Sequence, residues 1–209
     1  MKEGPKYKVA LKRRRKGKTS YYMRYKLVIS GKPRLVVRKT NKYILVQFVK
    51  FDANGDIVIA AAHSKELSKI YGWKGYSKNN CAAYLTGYLA ALRAKQKRVE
   101  EAILDIGLQS PIKGSRIFAS LKGALDAGVN IPHSDEILPS DDKINCEIIS
   151  KWANELKEKN QELYKRQFMK QLERLPPEEL VKNFVEVLNA IKSEPSKKIG
   201  EKIKMGENQ

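Results

Sequence analysis

The chain has 209 residues, 42% of them hydrophobic, with a formal net charge of +19. That is enough apolar material for one domain with a core and extensions, and so basic a molecule attracts polyanions and repels cations. No apolar run approaches the roughly 18 residues that span a bilayer, and the N-terminal MKEGPKYKVALKRRRKGK lacks the apolar stretch of a signal peptide, so the expectation is a cytoplasmic nucleic-acid binder with no membrane role.

Between Met1 and Lys42 stand sixteen Lys or Arg residues and one acid, Glu3, which puts +15 of the net charge in this first stretch. Charge packed into one segment neutralises neighbouring phosphates and releases their counterions, whereas a dispersed excess mainly aids solubility. The run KRRRKGK (Lys12 to Lys18) leads into TSYYMRYK (Thr19 to Lys26), where Tyr21, Tyr22 and Tyr25 alternate with Arg24 and Lys26. Cations for phosphates and rings for unpaired bases or riboses are what folded RNA with loops and bulges requires. A bare KRRRK run is equally the look of a localisation signal or a solvated basic segment; the interleaved tyrosines favour RNA. With few apolar residues before Tyr21, the arm is expected to be disordered when free and to order along its partner.

After Ser30-Gly31-Lys32-Pro33 the pattern becomes that of strands. In RLVVRK (Arg34 to Lys39), Arg34, Val36 and Arg38 face one way and Leu35 and Val37 the other. A break at Thr40-Asn41-Lys42 precedes YILVQFVKF (Tyr43 to Phe51), and an Asn54-Gly55 turn leads to IVIAAA (Ile57 to Ala62), an antiparallel meander. A linker with Gly72 and Gly75 precedes a helix capped by Ser77, in which Leu85, Leu89 and Leu92 recur at helical spacing and Tyr84 and Tyr88 are packing residues. AILDIGL (Ala102 to Leu108) reads as a buried strand, and Gly114 to Gly128 as a helix capped by Ser115 and stopped by Gly128. Lys113, Gly114, Ser115 and Arg116 could cradle a phosphate, though capping with solvated cations is the plainer account. From about Asn145 the chain is helical and charged, with Ile148, Ile149, Trp152 and Leu156 spaced to close the core. Pro176-Pro177 ends a helix, Glu179 to Lys192 forms another, and Ser193 to Gln209 is an expected mobile tail. The fold class is α/β, a mixed sheet with an antiparallel meander packed by helices, plus a basic N-terminal and a helical C-terminal extension.

Cys81 and Cys146 are far apart, with no metal-ligand spacing, and read as buried small apolar residues rather than a zinc site or a disulfide. An RNA-processing enzyme would need clustered carboxylates or a histidine pair. Asp52 and Asp56 flank a turn, Asp135, Glu136, Asp141 and Asp142 lie in a loop, and His63 and His133 have no evident partner. No enzyme, metal, cofactor or small-molecule substrate is therefore expected. A free RNA chaperone or nucleic-acid-compacting protein would use the same arm without a fixed partner, and charge alone leaves that alternative open.

The segments GPKYKVALKRRRKGKT, GKPRLVVRKTNKYILVQ, AHSKEL, GWKGYSKNN, AAYLTGYLA, EEAILDIGL, FASLKGALDAG and NIPHS follow one another from residue 4, and the resemblance they carry runs to about residue 157. Together they resemble archaeal members of the universal ribosomal family whose bacterial forms are large-subunit protein eighteen, related to the eukaryotic 5S rRNA chaperone. The resemblance implies a structural, non-catalytic protein of the large subunit that binds 5S rRNA in the central protuberance and touches 23S rRNA and neighbouring ribosomal proteins. By position it implies RNA contacts at Tyr7, Lys8, Lys12, Arg13, Arg14, Arg15, Lys16, Lys18, Thr19, Tyr21, Tyr22, Arg24, Lys26, Lys32, Arg34, Thr40, Asn41 and Lys42. The expected organisation is a basic arm over 1–30, an α/β RNA-binding core over 31–158 and a helical extension with its tail over 159–209. Relatives commonly carry Arg-Gly-Glu-His where this chain has Asn145-Cys146-Glu147-Ile148.

Overall fold

A computed structural model describes residues 4, 5 and 8–193; the expected mobile tail lies almost entirely outside these residues. In chain order the elements are α1 (Lys12–Arg15), α2 (Tyr21–Ile29), β1 (Arg34–Lys39), β2 (Ile44–Lys50), β3 (Ile57–His63), α3 (Ser64–Ile70), α4 (Asn80–Gln96), β4 (Ile103–Asp105), α5 (Arg116–Asp126), α6 (Asp141–Ile144), α7 (Glu147–Lys159), α8 (Gln161–Leu172) and α9 (Leu180–Ser193). The sheet order is β3-β2-β1-β4. β1, β2 and β3 form the expected antiparallel meander, and β4 returns parallel to β1, which makes the sheet mixed.

Alternation along the strands decides what lies inside. Leu35, Val37, Ile44, Val46, Phe48, Ala60 and Ala62 all point to one face and are buried under α4 and α5, each large side chain contributing roughly 1.5–3 kcal/mol. α4 is buried nearly all round because the sheet lies on one side and α5 on the other. The two helices approach closely at glycines: a Cβ on Gly87 would lie 2.0 Å from the Ser120 carbonyl oxygen, and one on Gly123 would lie 2.2 Å from that of Tyr84. Tyr84 and Tyr88 are buried packing residues, as expected.

Several expectations are corrected. α4 is capped by Asn79, whose side chain accepts from Ala82 N–H at 2.7 Å, rather than by Ser77. β4 ends at Asp105, because the Asp105 carboxylate turns back to accept from Gly107 N–H at 2.9 Å, and Leu108 is exposed. Helix α7 reaches the core only through the half-buried Ile149 and does not close it. Its Ala153 and Leu156 pack with Tyr164 and Phe168 of α8 in a separate cluster, while Ile148 and Trp152 face solvent. The core is closed instead by α9, which buries Leu180, Phe184, Val187 and Ile191. At the start of α5, Lys113 pairs with Glu136, and Arg116 gives one nitrogen to the Lys78 backbone carbonyl.

The cysteines are buried, as read, but they are bonded to each other, which the spacing of the two residues did not announce. Their Cα atoms lie 5.9 Å apart across 65 residues, joining the first turn of α4 to the start of α7. Cys146 has φ +65°, a conformation that glycine takes at little cost and other residues rarely adopt; the Arg-Gly-Glu-His pattern of relatives has glycine at this position.

Candidate nucleic-acid interface

The arm is helical rather than formless. α1 is a single turn of four cations, and the Arg13 Nε within it donates to Thr19 Oγ1 at 2.9 Å, folding the basic run back on itself. α2 starts where Ser20 Oγ accepts from Met23 N–H and continues through residues free of Pro and Gly to Ser30-Gly31. Hydroxyl cap and glycine stop were both legible in the sequence, where the chemistry of the stretch stood out ahead of its conformation.

α2 has two faces. Tyr21, Arg24, Leu27 and Val28 recur at helical spacing and are half-buried toward the sheet, while Tyr22, Met23, Tyr25, Lys26 and Ile29 are exposed. Lys26 Nζ lies 4.5 Å from the centre of the Tyr22 ring, a cation–π contact that keeps ring and charge side by side. Large apolar groups left in water among cations mark a surface that another molecule covers.

The arm crosses the sheet face that α4 and α5 leave bare. A cleft of about 310 Å³ separates the two, with Arg13, Lys18, Met23 and Leu27 on one wall and Val36 and Arg38 on the other. Residues preceding α2 therefore lie near the far end of β1 from the point where the arm joins it, so the arm doubles back along that strand.

A chain of five alternating charges fixes this placement. Arg24 pairs with Asp56 at 2.8 Å, Asp56 with Arg34 at 2.7 Å, Arg34 with Asp105 at 3.0 Å, and Asp105 with Arg38 at 2.8 Å. The middle is dry and the ends are wet: the Arg34 and Asp105 side chains are 4% and 8% exposed, Arg24 and Arg38 34% and 39%. Buried charges are tolerated only when paired and hydrogen-bonded, and Arg34 gives one nitrogen to each of two carboxylates. Gly107 completes the site, since with φ +66° any Cβ there would sit 2.9 Å from the Arg38 guanidinium carbon.

The residues selected from the sequence divide accordingly. Lys8, Lys12, Arg13, Arg14, Arg15, Lys16, Lys18, Tyr22 and Lys26 are exposed on the arm, with Thr19, Tyr21 and Arg24 half-buried beneath them. Tyr7 lies outside the described residues. Lys32 pairs with Glu101. Arg34 is buried inside the charge chain and presents no free face to a phosphate, which changes its role from contact to support. Thr40, Asn41 and Lys42 are exposed in the β1–β2 turn, where Thr40 Oγ1 is bonded to Tyr43. Arg38, which was not among the residues selected, shares the cleft with Arg13 and Lys18; the alternation that set it beside Arg34 was the available signal.

The groups weighed for catalysis have other tasks. Asp56 belongs to the charge chain, Asp141 pairs with Lys122, and His63 caps α3, its Nδ1 accepting from Lys65 N–H while Glu66 accepts from His63 N–H.

A family model described as ribosomal large-subunit proteins 60S L5 and 50S L18 matches residues 5–102 and 92–134. The large ribosomal subunit protein uL18 of Aeropyrum pernix is 62% identical over 192 residues, 91% of this chain and 90% of that protein. Those of Saccharolobus solfataricus and Staphylothermus marinus are 54% identical over 191 residues and 50% over 202, covering 91% and 96% of this chain and 96% and 100% of theirs.

Proposed function

The chain belongs to the family of ribosomal large-subunit proteins 60S L5 and 50S L18, and on that premise we propose that its arm and bare sheet face hold 5S rRNA and fasten it to 23S rRNA in the central protuberance. Family membership makes it a structural component of the cytoplasmic large subunit, in a family that is not one of enzymes. The finer assignment rests on one observation: an arm with no acid after Glu3, its cations exposed beside tyrosine rings, is held across a folded sheet by an internal charge chain.

The parts divide the work by their chemistry. Arg13, Arg14, Arg15, Lys16 and Lys18 neutralise phosphates, which gives affinity and salt dependence without sequence information. Tyr22 and Tyr25, with Lys26 and Tyr21, offer stacking faces to unpaired bases, which favours folded RNA over duplex. Lys8, Lys12, Thr19, Lys32 and the Thr40-Asn41-Lys42 turn extend the surface, Arg24 and Arg34 hold it in register, and Tyr7 is a further proposed contact from its sequence position alone. The proposed organisation keeps the arm at 1–30 and the RNA-binding core from residue 31, with α7 and α8 as an appended pair and α9 returning to the core.

A gel-shift titration of the full chain with 5S rRNA at physiological salt, against excess transfer RNA and duplex DNA, tests this. The expected result is a one-to-one complex that neither competitor displaces. Equal binding to all three would overturn the assignment and leave a generic polyanion binder.

A further inference from the structure

Where the first turns of α4 and α5 meet α6 and α7 there is a second surface of different character. Tyr76, Ile148 and Ile149 line a mostly apolar cleft of about 500 Å³, together with Lys78, Arg116 and Lys143. Tyr76 is 43% exposed and Ile148 44%, and Trp152, one turn along α7 from Ile148, is 47% exposed. Ile148 and Trp152 are residues that the periodicity of α7 assigned to the core, and they stand in water.

Charge surrounds the cleft on one side of the balance. Among the described residues, no carboxylate pairs with Lys78, Arg116 or Lys143, and Arg116 spends one nitrogen on the Lys78 carbonyl. Of the acids nearest in sequence, Asp141 pairs with Lys122 and Glu147 with Lys151, which leaves Asp142, beside Lys143, as the one exposed carboxylate of this stretch without an ion pair among the described residues. The walls are also fixed in advance. Cys81 follows Asn80 of the lining, Cys146 precedes Ile148 by two residues, and the bond between them ties one wall to the other. A cleft that need not be ordered on binding loses less affinity to entropy.

We propose that this cleft seats an acidic, apolar peptide segment of a neighbouring large-subunit protein. An aliphatic or aromatic side chain fills the space between Tyr76, Ile148 and Ile149, and flanking carboxylates meet Lys78, Arg116 and Lys143. Aromatic residues and Arg around an apolar centre are the composition of protein interfaces. RNA is the poorer fit: of the apolar lining residues only Tyr76 offers a base a flat face, Ile148 and Ile149 offering none, and three cations contrast with the dense run of the arm. The inference needs only that the chain is a large-subunit protein, so it stands or falls separately from 5S rRNA binding.

The test is photo-crosslinking in large subunits purified from cells whose copy of this chain carries a diazirine side chain, reactive toward protein and RNA alike, at position 148. A second chain with the same group at Lys165 of α8 serves as the background. The expected adduct is a peptide of another ribosomal protein with Asp or Glu beside an apolar residue. Adding Lys78→Glu and Lys143→Glu should lower its yield roughly tenfold or more, with 5S rRNA binding in gel shift unchanged as the check on folding. An adduct on rRNA, a yield no higher than at position 165, or a yield indifferent to charge reversal would each overturn the proposal.

Discussion

Helices α2 and α9 are both short helices rich in apolar side chains, near opposite ends of the described chain, and they use those side chains in opposite ways. α9 buries Leu180, Phe184, Val187 and Ile191 in the core. α2 buries none of its residues and leaves Tyr22, Met23, Tyr25 and Ile29 in water, held down by ion pairs rather than by packing. The difference teaches that apolar content alone does not say where a helix goes. In α9 the large side chains fall on one stripe, whereas in α2 they are spread around the helix and mixed with cations, so burying them would also desolvate Arg24 and Lys26.

The largest effect should come from the packed side of this comparison. Phe184 sits against Tyr84 with ring centres 5.9 Å apart, and Phe184→Ala should cost about 3–5 kcal/mol, lowering the melting temperature by roughly 10 °C. RNA affinity of the folded protein should not change. A melting temperature within experimental error of the parent would show that α9 does not hold the core.

The charge chain comes next. Asp105→Asn leaves Arg34 buried with only Asp56 to balance it and removes the carboxylate partner of Arg38, a loss of about 3 kcal/mol for an uncompensated buried charge. Exchange protection should fall at α2 as well as at β1 and β4, because Asp56, which holds Arg24 of the arm, is itself held by Arg34, and Arg34 by this carboxylate. Loss confined to the sheet would separate the arm from the chain of charges.

On the exposed side, changing Arg13, Arg14 and Arg15 together to Ala should leave stability within about 0.5 kcal/mol. It should weaken RNA binding and flatten the plot of log affinity against log salt by somewhat under one unit for each phosphate that is no longer neutralised. An unchanged slope would remove these residues from the interface.

How legible this was follows from which interactions are local. Strand β1 followed from alternation, β2 and β3 from β-rich runs on either side of the Asn54-Gly55 turn, and α5 with its Gly128 stop from local punctuation. The basic arm was visible as charge. What was not visible depends on partners distant in the chain. Cys81 and Cys146 meet across 65 residues, and no spacing rule announces that. Arg34 looked like one more exposed cation until Asp56 and Asp105, from two other segments, closed over it. Ile148 and Trp152 have the spacing of a buried stripe with Ile149 and Leu156, yet only the latter two turn inward, joined by Ala153, because the packing partner of α7 is α8 and not the sheet.

The smallest effect concerns that α7–α8 unit, which is joined by groups that titrate. Glu178 is drawn toward protonation by burial, but its own backbone N–H, the Tyr164 hydroxyl at 3.0 Å and Lys157 outweigh this and hold its pKa below the ordinary value. Burial, and then the hydrogen bond to Glu178, push Tyr164 up to about 12. The signs are opposite. A lowered carboxylate stabilises the folded unit above the ordinary glutamate range, and that contribution fades as pH falls through the depressed value; a raised phenol stabilises below about pH 10 and fades as pH rises toward 12. The contribution of the Glu178–Lys157 pair should be under about 1 kcal/mol, because Lys157 is exposed and its pairing is screened. In a Trp73→Phe background, the fluorescence of Trp152 on α7 should report loosening of this unit at both pH extremes before the core melts. Tyr164→Phe should abolish the alkaline step and move the acid step to higher pH, since Glu178 loses a donor. If both steps survived that substitution, the pair would not be what fastens α7 and α8 together.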